Sequence, residues 1–366
     1  MNFELTDELA ALQDSLQRLL SDLQARRAAT DEGTAWRQLA ELGVAGLLVP
    51  ERHGGFGGSA EHVLPVMQEL GRAPVAVPFL SCCVLGATAL ATADDATART
   101  LLPALATGEL QVAWAHDEPA RQGEPASPST TASNHHGWRL TGTKRQVLHA
   151  ASAHQFVVSA RVDGDAVRPH PALFLVDRDA PGVSVRGLRL VDGTPAGELR
   201  LQDAHAVPLR DGAVDASSDL EAVASTGIAA ICAEMAGAME AAFSLTVAYV
   251  NTRKQFGRLI GANQALRHRV AEMQVALEMA RSMTVAAAVA AARGGLHEPA
   301  SRLELHRAKF LVGRNARVVC QQAIQLHGGV GMTEEYAVGR YLRRVHVLDH
   351  LFGDATAHAD WLAHAG

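Results

Sequence analysis

Aromatic residues are scarce in this chain. Nine Phe, four Trp and three Tyr make up 4% of its 366 residues. Strands draw on aromatic and β-branched side chains, so the scarcity argues against an all-β sandwich or barrel. Cysteine is scarcer still. The four thiols, Cys82, Cys83, Cys232 and Cys320, form no Cys-x-x-Cys pair, which removes the usual zinc and dithiol redox motifs. Only Cys82 and Cys83 are close, and vicinal cysteines do not form an ordinary structural disulfide, so a reducing cytoplasm is the expected compartment. Positive charge is not in excess: 33 Lys and Arg stand against 39 Asp and Glu, for a net charge of −6. Without a basic stripe, nucleic acid is not an expected partner. No uncharged apolar stretch approaches twenty residues, so no membrane span is expected. The acidic start, Met1-Asn2-Phe3-Glu4-Leu5-Thr6-Asp7-Glu8, does not read as a signal peptide. Neither a Gly-x-Gly-x-x-Gly between strand and helix nor a Gly-x-Ser-x-Gly elbow occurs, which leaves Rossmann and serine-hydrolase chemistry without support.

What is present is alanine, roughly 67 residues of it, the strongest intrinsic helix former. With 48% hydrophobic residues the chain has ample material for a core, which excludes disorder. Length predicts two or three packed units, and texture divides the chain into three. Residues 1–112 read as helices joined by Gly/Pro turns, with Thr6 as an N-cap ahead of Asp7 and Glu8 and a helix ending near Leu70-Gly71. Residues 113–215 carry short β-rich runs such as Gln155-Phe156-Val157-Val158-Ser159 and Ala172-Leu173-Phe174-Leu175-Val176. Turn clusters at Asp163-Gly164-Asp165, Ala180-Pro181-Gly182 and Asp192-Gly193 bound them. The Pro/Ser/Thr-rich stretch from Glu118 to Ser133 reads as an exposed loop. Residues 216–366 return to helix: Leu266, Val270, Met273 and Leu277 form an amphipathic stripe, and a helix from Leu303 to Leu326 stops at Gly328. There is no internal repeat.

His346, His350, Asp354 and His358 recur every four residues. On one continuous helix they would share a face suited to a metal, but Gly353 interrupts it, so a solvated or interface face is expected and no metal site is assigned. Glycine loops at Gly54-Gly55-Phe56-Gly57-Gly58 and Gly328-Gly329-Val330-Gly331 read singly as turns. Two C-terminal constellations carry more. One is Arg253-Lys254-Gln255-Phe256-Gly257 with Gln264 and Glu272-Met273. The other is Gln325-Leu326-His327-Gly328-Gly329-Val330-Gly331 with Glu335-Tyr336, Arg343 and Gly353. Arginine supplies a fixed charge and a bidentate fork for phosphate, and glycines let a backbone approach an anion closely.

In this order and spacing the two constellations resemble the acyl-CoA dehydrogenase family. Val49-Pro50-Glu51, Glu69-Leu70-Gly71, Glu118-Pro119, Gly142-Thr143-Lys144 and Val207-Pro208 extend the match over nearly the whole chain. The resemblance implies a mainly α fold with a central β domain: an N-terminal helical domain, a β-barrel-like middle domain and a C-terminal four-helix bundle. It also implies FAD, an acyl-CoA thioester substrate, an electron-transferring flavoprotein as acceptor, and assembly as a dimer of dimers.

The family's reaction is α,β-desaturation, in which a glutamate removes the α proton and the β hydrogen leaves as hydride to the flavin. Its base must be a desolvated carboxylate of tuned pKa. Carried over, the usual base position is Phe352, before Gly353, and the alternative position is Gly227. Neither can accept a proton. The residues after Lys144, among them Gln146 and Leu148, also replace the Trp and hydroxyl that hold the flavin ring, and His116-Asp117 precede Glu118-Pro119. The set that in this family reaches across a subunit interface to the ADP half of FAD is intact: Arg253, Phe256, Gln264, Gln325, Gly328 and Gly329. The expected role is that of the non-catalytic subunit of an α2β2 enzyme, paired with a family member carrying the glutamate. Bacterial steroid-degrading members have such assemblies. Two alternatives stand beside it: a complete homotetrameric dehydrogenase with its base relocated to Glu234 or Asp354, and a flavin-free acyl-CoA-binding or scaffold protein.

Overall fold

The computed structural model describes residues 6–26, 31–119, 128–134, 136–164 and 167–365. Five helices come first: α1 (Asp7–Ala25), α2 (Glu32–Glu41), α3 (Ala60–Arg72), α4 (Ala87–Leu90) and α5 (Asp95–Ala106). Thr6 caps α1, its hydroxyl accepting from the Leu9 amide, and Leu16, Leu20 and Leu23 bury the stripe that this spacing puts on one face. A fully buried π-helical segment, Phe79–Gly86, leads into α4.

Eight strands follow: β1 (Val112–Ala115), β2 (Thr131–Asn134), β3 (Trp138–Leu148), β4 (Gln155–Gly164), β5 (Val167–Asp177), β6 (Val183–Arg189), β7 (Pro195–His205) and β8 (Val207–Pro208). They form one sheet in the order β6-β7-β3-β2-β4-β5-β8, with β1 also on β4. Side chains from β1, β3, β4, β5 and β7, including Ala113, Leu140, Phe156, Phe174 and Leu199, meet in one core. The sheet therefore curls around its own apolar face.

The remainder is helical: α6 (Ser217–Thr252), a small hairpin of β9 (Lys254–Gln255) and β10 (Arg258–Leu259), then α7 (Gln264–Ala292), α8 (Pro299–His327), α9 (Val338–His350) and α10 (Ala355–His364). Helices α6 to α9 pack together, with α10 against α8. Helix α3 lies unusually close to α6. A Cβ at Gly71 would sit 2.0 Å from the Glu234 carbonyl oxygen, and one at Gly237 would sit 2.0 Å from that of Gln68. Both glycines are there so that the two backbones can touch.

Two expectations need correction. The stretch from Glu118 to Ser133 is not simply an exposed loop: Glu118 and Thr130 are buried, and β2 begins at Thr131, where it bridges β3 and β4. The part at 120–127 lies outside the described residues, as does Asp165 of the Asp163-Gly164-Asp165 turn. The last helix of the Leu303–Leu326 expectation is longer, running from Pro299 to His327, with Glu298 as its cap and Gly328 (φ +62) at its end. By length and composition α6 and α7 are apolar enough to cross a membrane, although no uncharged stretch of either approaches twenty residues. Within this chain, 89% of the most apolar window of α6 is buried and 33% of that of α7.

Candidate functional site

A recess opens where the π-helical segment, the end of β1, β3 and the connection after α9 converge. Its lining includes Ser81, Leu85, Trp114, His116, Asp117 and Gln146. The β3–β7 register slips between Lys144 and Val147, with Gln146 (φ +52) and His149 (φ +54) in the left-handed region. Such a bulge re-aims side chains, and Gln146 and Leu148 both turn towards the recess.

Lys144, wholly buried, anchors this wall. Its ammonium donates to Glu118 Oε1 (2.7 Å), to the His116 carbonyl (3.0 Å) and to Ser159 Oγ (3.1 Å). Glu118 also accepts from the Ser129 amide (2.6 Å), the Thr130 amide (2.9 Å) and the Thr130 hydroxyl (2.6 Å). Burial alone would raise the Glu118 carboxyl, but the Lys144 charge and these donors hold it at about 2. Burial lowers Lys144 to about 8. The pair is a buried, fully bonded brace, and it explains why the Gly-Thr-Lys and Glu-Pro motifs lie in one structure.

Facing that wall, Phe352 and Gly227 touch. A Cβ added at Gly227 would come within 2.6 Å of Phe352 Cε2 and Cζ, and within 2.9 Å of Leu85 Cδ2. The two positions at which the resemblance calls for a carboxylate thus share one spot, and a phenyl ring fills it. Phe352 has φ +58, a conformation rare for a bulky residue.

The two candidate relocated bases are engaged elsewhere. Glu234 is buried, and its Oε1 accepts from Arg344 Nε at 2.5 Å, while Arg344 also donates to Asp192 and Thr194 at 2.9 Å. Asp354 caps α10, accepting from the Ala357 amide at 2.9 Å, and this bond draws its pKa down. Neither residue lines the recess.

The His346, His350, Asp354 and His358 series does not share a face. Helix α9 ends at His350 and α10 starts at Ala355, and no group of three or more metal-ligating side chains occurs among the described residues. His358 instead pairs with His306, Nδ1 to Nδ1 at 2.9 Å, and its Nε2 lies 3.0 Å from the Phe352 carbonyl oxygen. The Phe352 carbonyl accepts only, so His358 carries its proton on Nε2 and accepts from His306 Nδ1. Burial pushes His306 down to about 4 and His358 to about 3. Sequence reasoning missed His306, Lys309 and Arg344. A lone buried polar side chain leaves no periodic signal, whereas His358 falls in the four-residue series.

The reaching-across set lies at the other end of the bundle. Gly227 on α6 and Arg253, the residue that caps its C-terminus, are separated by about 39 Å along its axis at the rise of an α-helix. Helices α6, α7 and α8 alternate in direction, so Arg253, Gln264 and Gln325 fall at the same end. Tyr249 marks the junction, its hydroxyl donating to the His327 carbonyl at 3.4 Å and its ring packing 4.3 Å from that of His327. Arg253, Phe256, Gln264, Gln325, Gly328 and Gly329 are all exposed, with Phe256 99% accessible. Arg253 makes no ion pair among the described residues, and a Cβ at Gly328 or Gly329 would meet nothing within 4 Å. An uncommitted guanidinium and bare backbone at the same end of the bundle fit a phosphate-bearing ligand.

Three family models match the chain: acyl-CoA dehydrogenase N-terminal domain over residues 6–109, middle domain over 113–204 and C-terminal domain over 226–365. The acyl-CoA dehydrogenase FadE27 of Mycobacterium tuberculosis is 30% identical over 336 residues, covering 88% of this chain and 84% of its own. Among solved structures, the "Tcur3481-Tcur3483 steroid ACAD G363A variant" superposes with a TM-score of 0.87 at 30% identity, covering 98% of this chain and 97% of the other. The ChsE4-ChsE5 complex from Mycobacterium tuberculosis gives 0.85 at 26% identity, covering 100% and 98%.

Proposed function

Because the chain belongs to the acyl-CoA dehydrogenase family, whose members are flavin-dependent oxidoreductases, we propose that it is the non-catalytic subunit of a heterotetrameric enzyme of that family. It completes the FAD site of a partner subunit that carries the catalytic glutamate. Arg253 and the exposed backbone at Gly328 and Gly329 hold the diphosphate, and Phe256, Gln264 and Gln325 complete that surface. FAD, when bound, supplies the hydride acceptor for desaturation of an acyl-CoA. A bulky, steroid-derived acyl group is the proposed substrate, by likeness to the steroid enzyme named above. An electron-transferring flavoprotein is the proposed acceptor, and the cytoplasm the proposed compartment.

One observation carries this reading. Gly227, under the Phe352 ring, and Arg253 of the cofactor-facing set, at the C-terminal end of the same helix, lie about 39 Å apart, too far to serve one reacting centre. The set therefore faces a neighbour. The neighbour also has a surface to meet: Val275 and Met279 on α7 and Val318 on α8 are exposed apolar residues. Against a complete homotetramer stands the engagement of Glu234 by Arg344 and of Asp354 by its cap. Against a flavin-free scaffold stands the uncommitted Arg253.

Arg253→Ala tests the reading in the co-expressed complex. The expected result is FAD binding to the partner's site weakened by about tenfold or more, as loss of a charge-assisted phosphate contact requires, with assembly intact. Unchanged FAD affinity would overturn it.

A further inference from the structure

We propose that Phe352 is a built partition that keeps an acyl thioester out of this chain's own recess, a role that rests on the non-catalytic reading and gives it a physical cause. The ring divides what would be one space. On one side is a cavity of about 30 Å³ against Ser81, Leu85 and Leu148. On the other is one of about 80 Å³ against Leu220, Ala224, Ile228 and Leu296. Phe352 lines both, together with Trp114, His116 and Asp117. Each is far below the roughly 300–1,000 Å³ of a ligand pocket.

The partition is fixed from behind. Lys309, wholly buried on α8, donates to the carbonyls of Asp349 (2.6 Å) and Gly353 (2.7 Å). His358 on α10 donates to the carbonyl of Phe352 between them (3.0 Å). His306 orients His358 and is itself stacked on Trp361 at 3.7 Å between ring centroids. The carbonyls of Phe352 and Gly353 in the α9–α10 connection, and that of Asp349 in the last turn of α9, are thereby held by side chains from α8 and α10, which maintains the left-handed backbone at Phe352 against its steric cost. The ring in turn needs Gly227, the one residue type on that turn of α6 that leaves it room. Removing the ring joins the two cavities into a channel with an apolar far wall, suited to an acyl chain.

The test is calorimetric titration of hexanoyl-CoA, with free CoA as a control, into the full-length chain and into its Phe352→Gly, Phe352→Ala and Phe352→Trp variants. Glycine suits the positive φ, so F352G keeps the fold if F352A does not. The expected result is saturable hexanoyl-CoA binding in F352G, tighter than in wild type and F352W by about tenfold or more, with free CoA unaffected. Folded F352G that binds no better than wild type overturns the partition and leaves the non-catalytic reading standing. Wild type that binds one hexanoyl-CoA per chain also overturns it, and a one-to-one flavin content in the same sample then separately decides against the non-catalytic reading.

Discussion

The ring of Phe352 rests on the bare α-carbon of Gly227, with no room for a methyl group between them. By the resemblance to the acyl-CoA dehydrogenase family these two places correspond to alternative seats for the base. Here they are a knob and its hole, and neither substitution is understandable without the other.

Coupling between them follows. Gly227→Ala overpacks the contact, which costs about 1–3 kcal/mol, against a gain of up to about 1 kcal/mol from replacing a mid-helix glycine. The single variant is expected to be destabilised. In a Phe352→Gly background the ring clash is gone, only the flexible end of Leu85 at 2.9 Å has to give way, and the same change should stabilise. Denaturant titration of the four proteins of this cycle checks the sign reversal; additive effects would remove the coupling.

The brace behind β3 is equally specific. Lys144→Met leaves Glu118 buried and unpaired, with an expected loss of about 3–5 kcal/mol. Adding Glu118→Gln should recover part of it, because the orphaned charge is removed. Thermal midpoints of the single and double variants measure this. A double variant less stable than K144M would contradict the pairing.

The histidines predict acid sensitivity. His306 and His358 hold pKa values of about 4 and 3 in the folded chain, below the ordinary 6.5. The unfolded chain therefore binds more protons between those values, and stability falls as pH drops below about 6.5, by up to about 1.4 kcal/mol per pH unit for each histidine. The charged groups nearby, Arg302 and Lys309, act in the same direction, and Asp354 opposes them. Replacing His358 by Leu should flatten the stability profile between pH 6.5 and 4. A profile unchanged in slope would show that His358 is protonated when folded.

Much of the fold was legible because it is local. Thr6 sits where a cap belongs, Leu16, Leu20 and Leu23 repeat at helical spacing, and Gly328 is needed where α8 reverses to a positive φ. The site was legible only in its motifs. That Glu118 would be buried depends on Lys144 reaching it from another strand, so composition alone read the segment as a loop. That Phe352 would meet Gly227 depends on α10 and α8 holding a helix break through Lys309 and His358. Arg344 on Glu234 likewise joins distant helices. Such contacts obey no period, and nothing in the sequence near either partner announces them.

The central claim is that this chain lends its Arg253 end to a partner's flavin and holds none in its own recess. The direct measurement is the ratio of FAD to polypeptide, by absorbance and amino-acid analysis, in the chain purified alone and in its complex with the partner subunit. The account predicts a colourless chain alone and a complex with fewer flavins than chains, two per α2β2 tetramer. A lone yellow homotetramer with one FAD per chain that desaturates an acyl-CoA would contradict it.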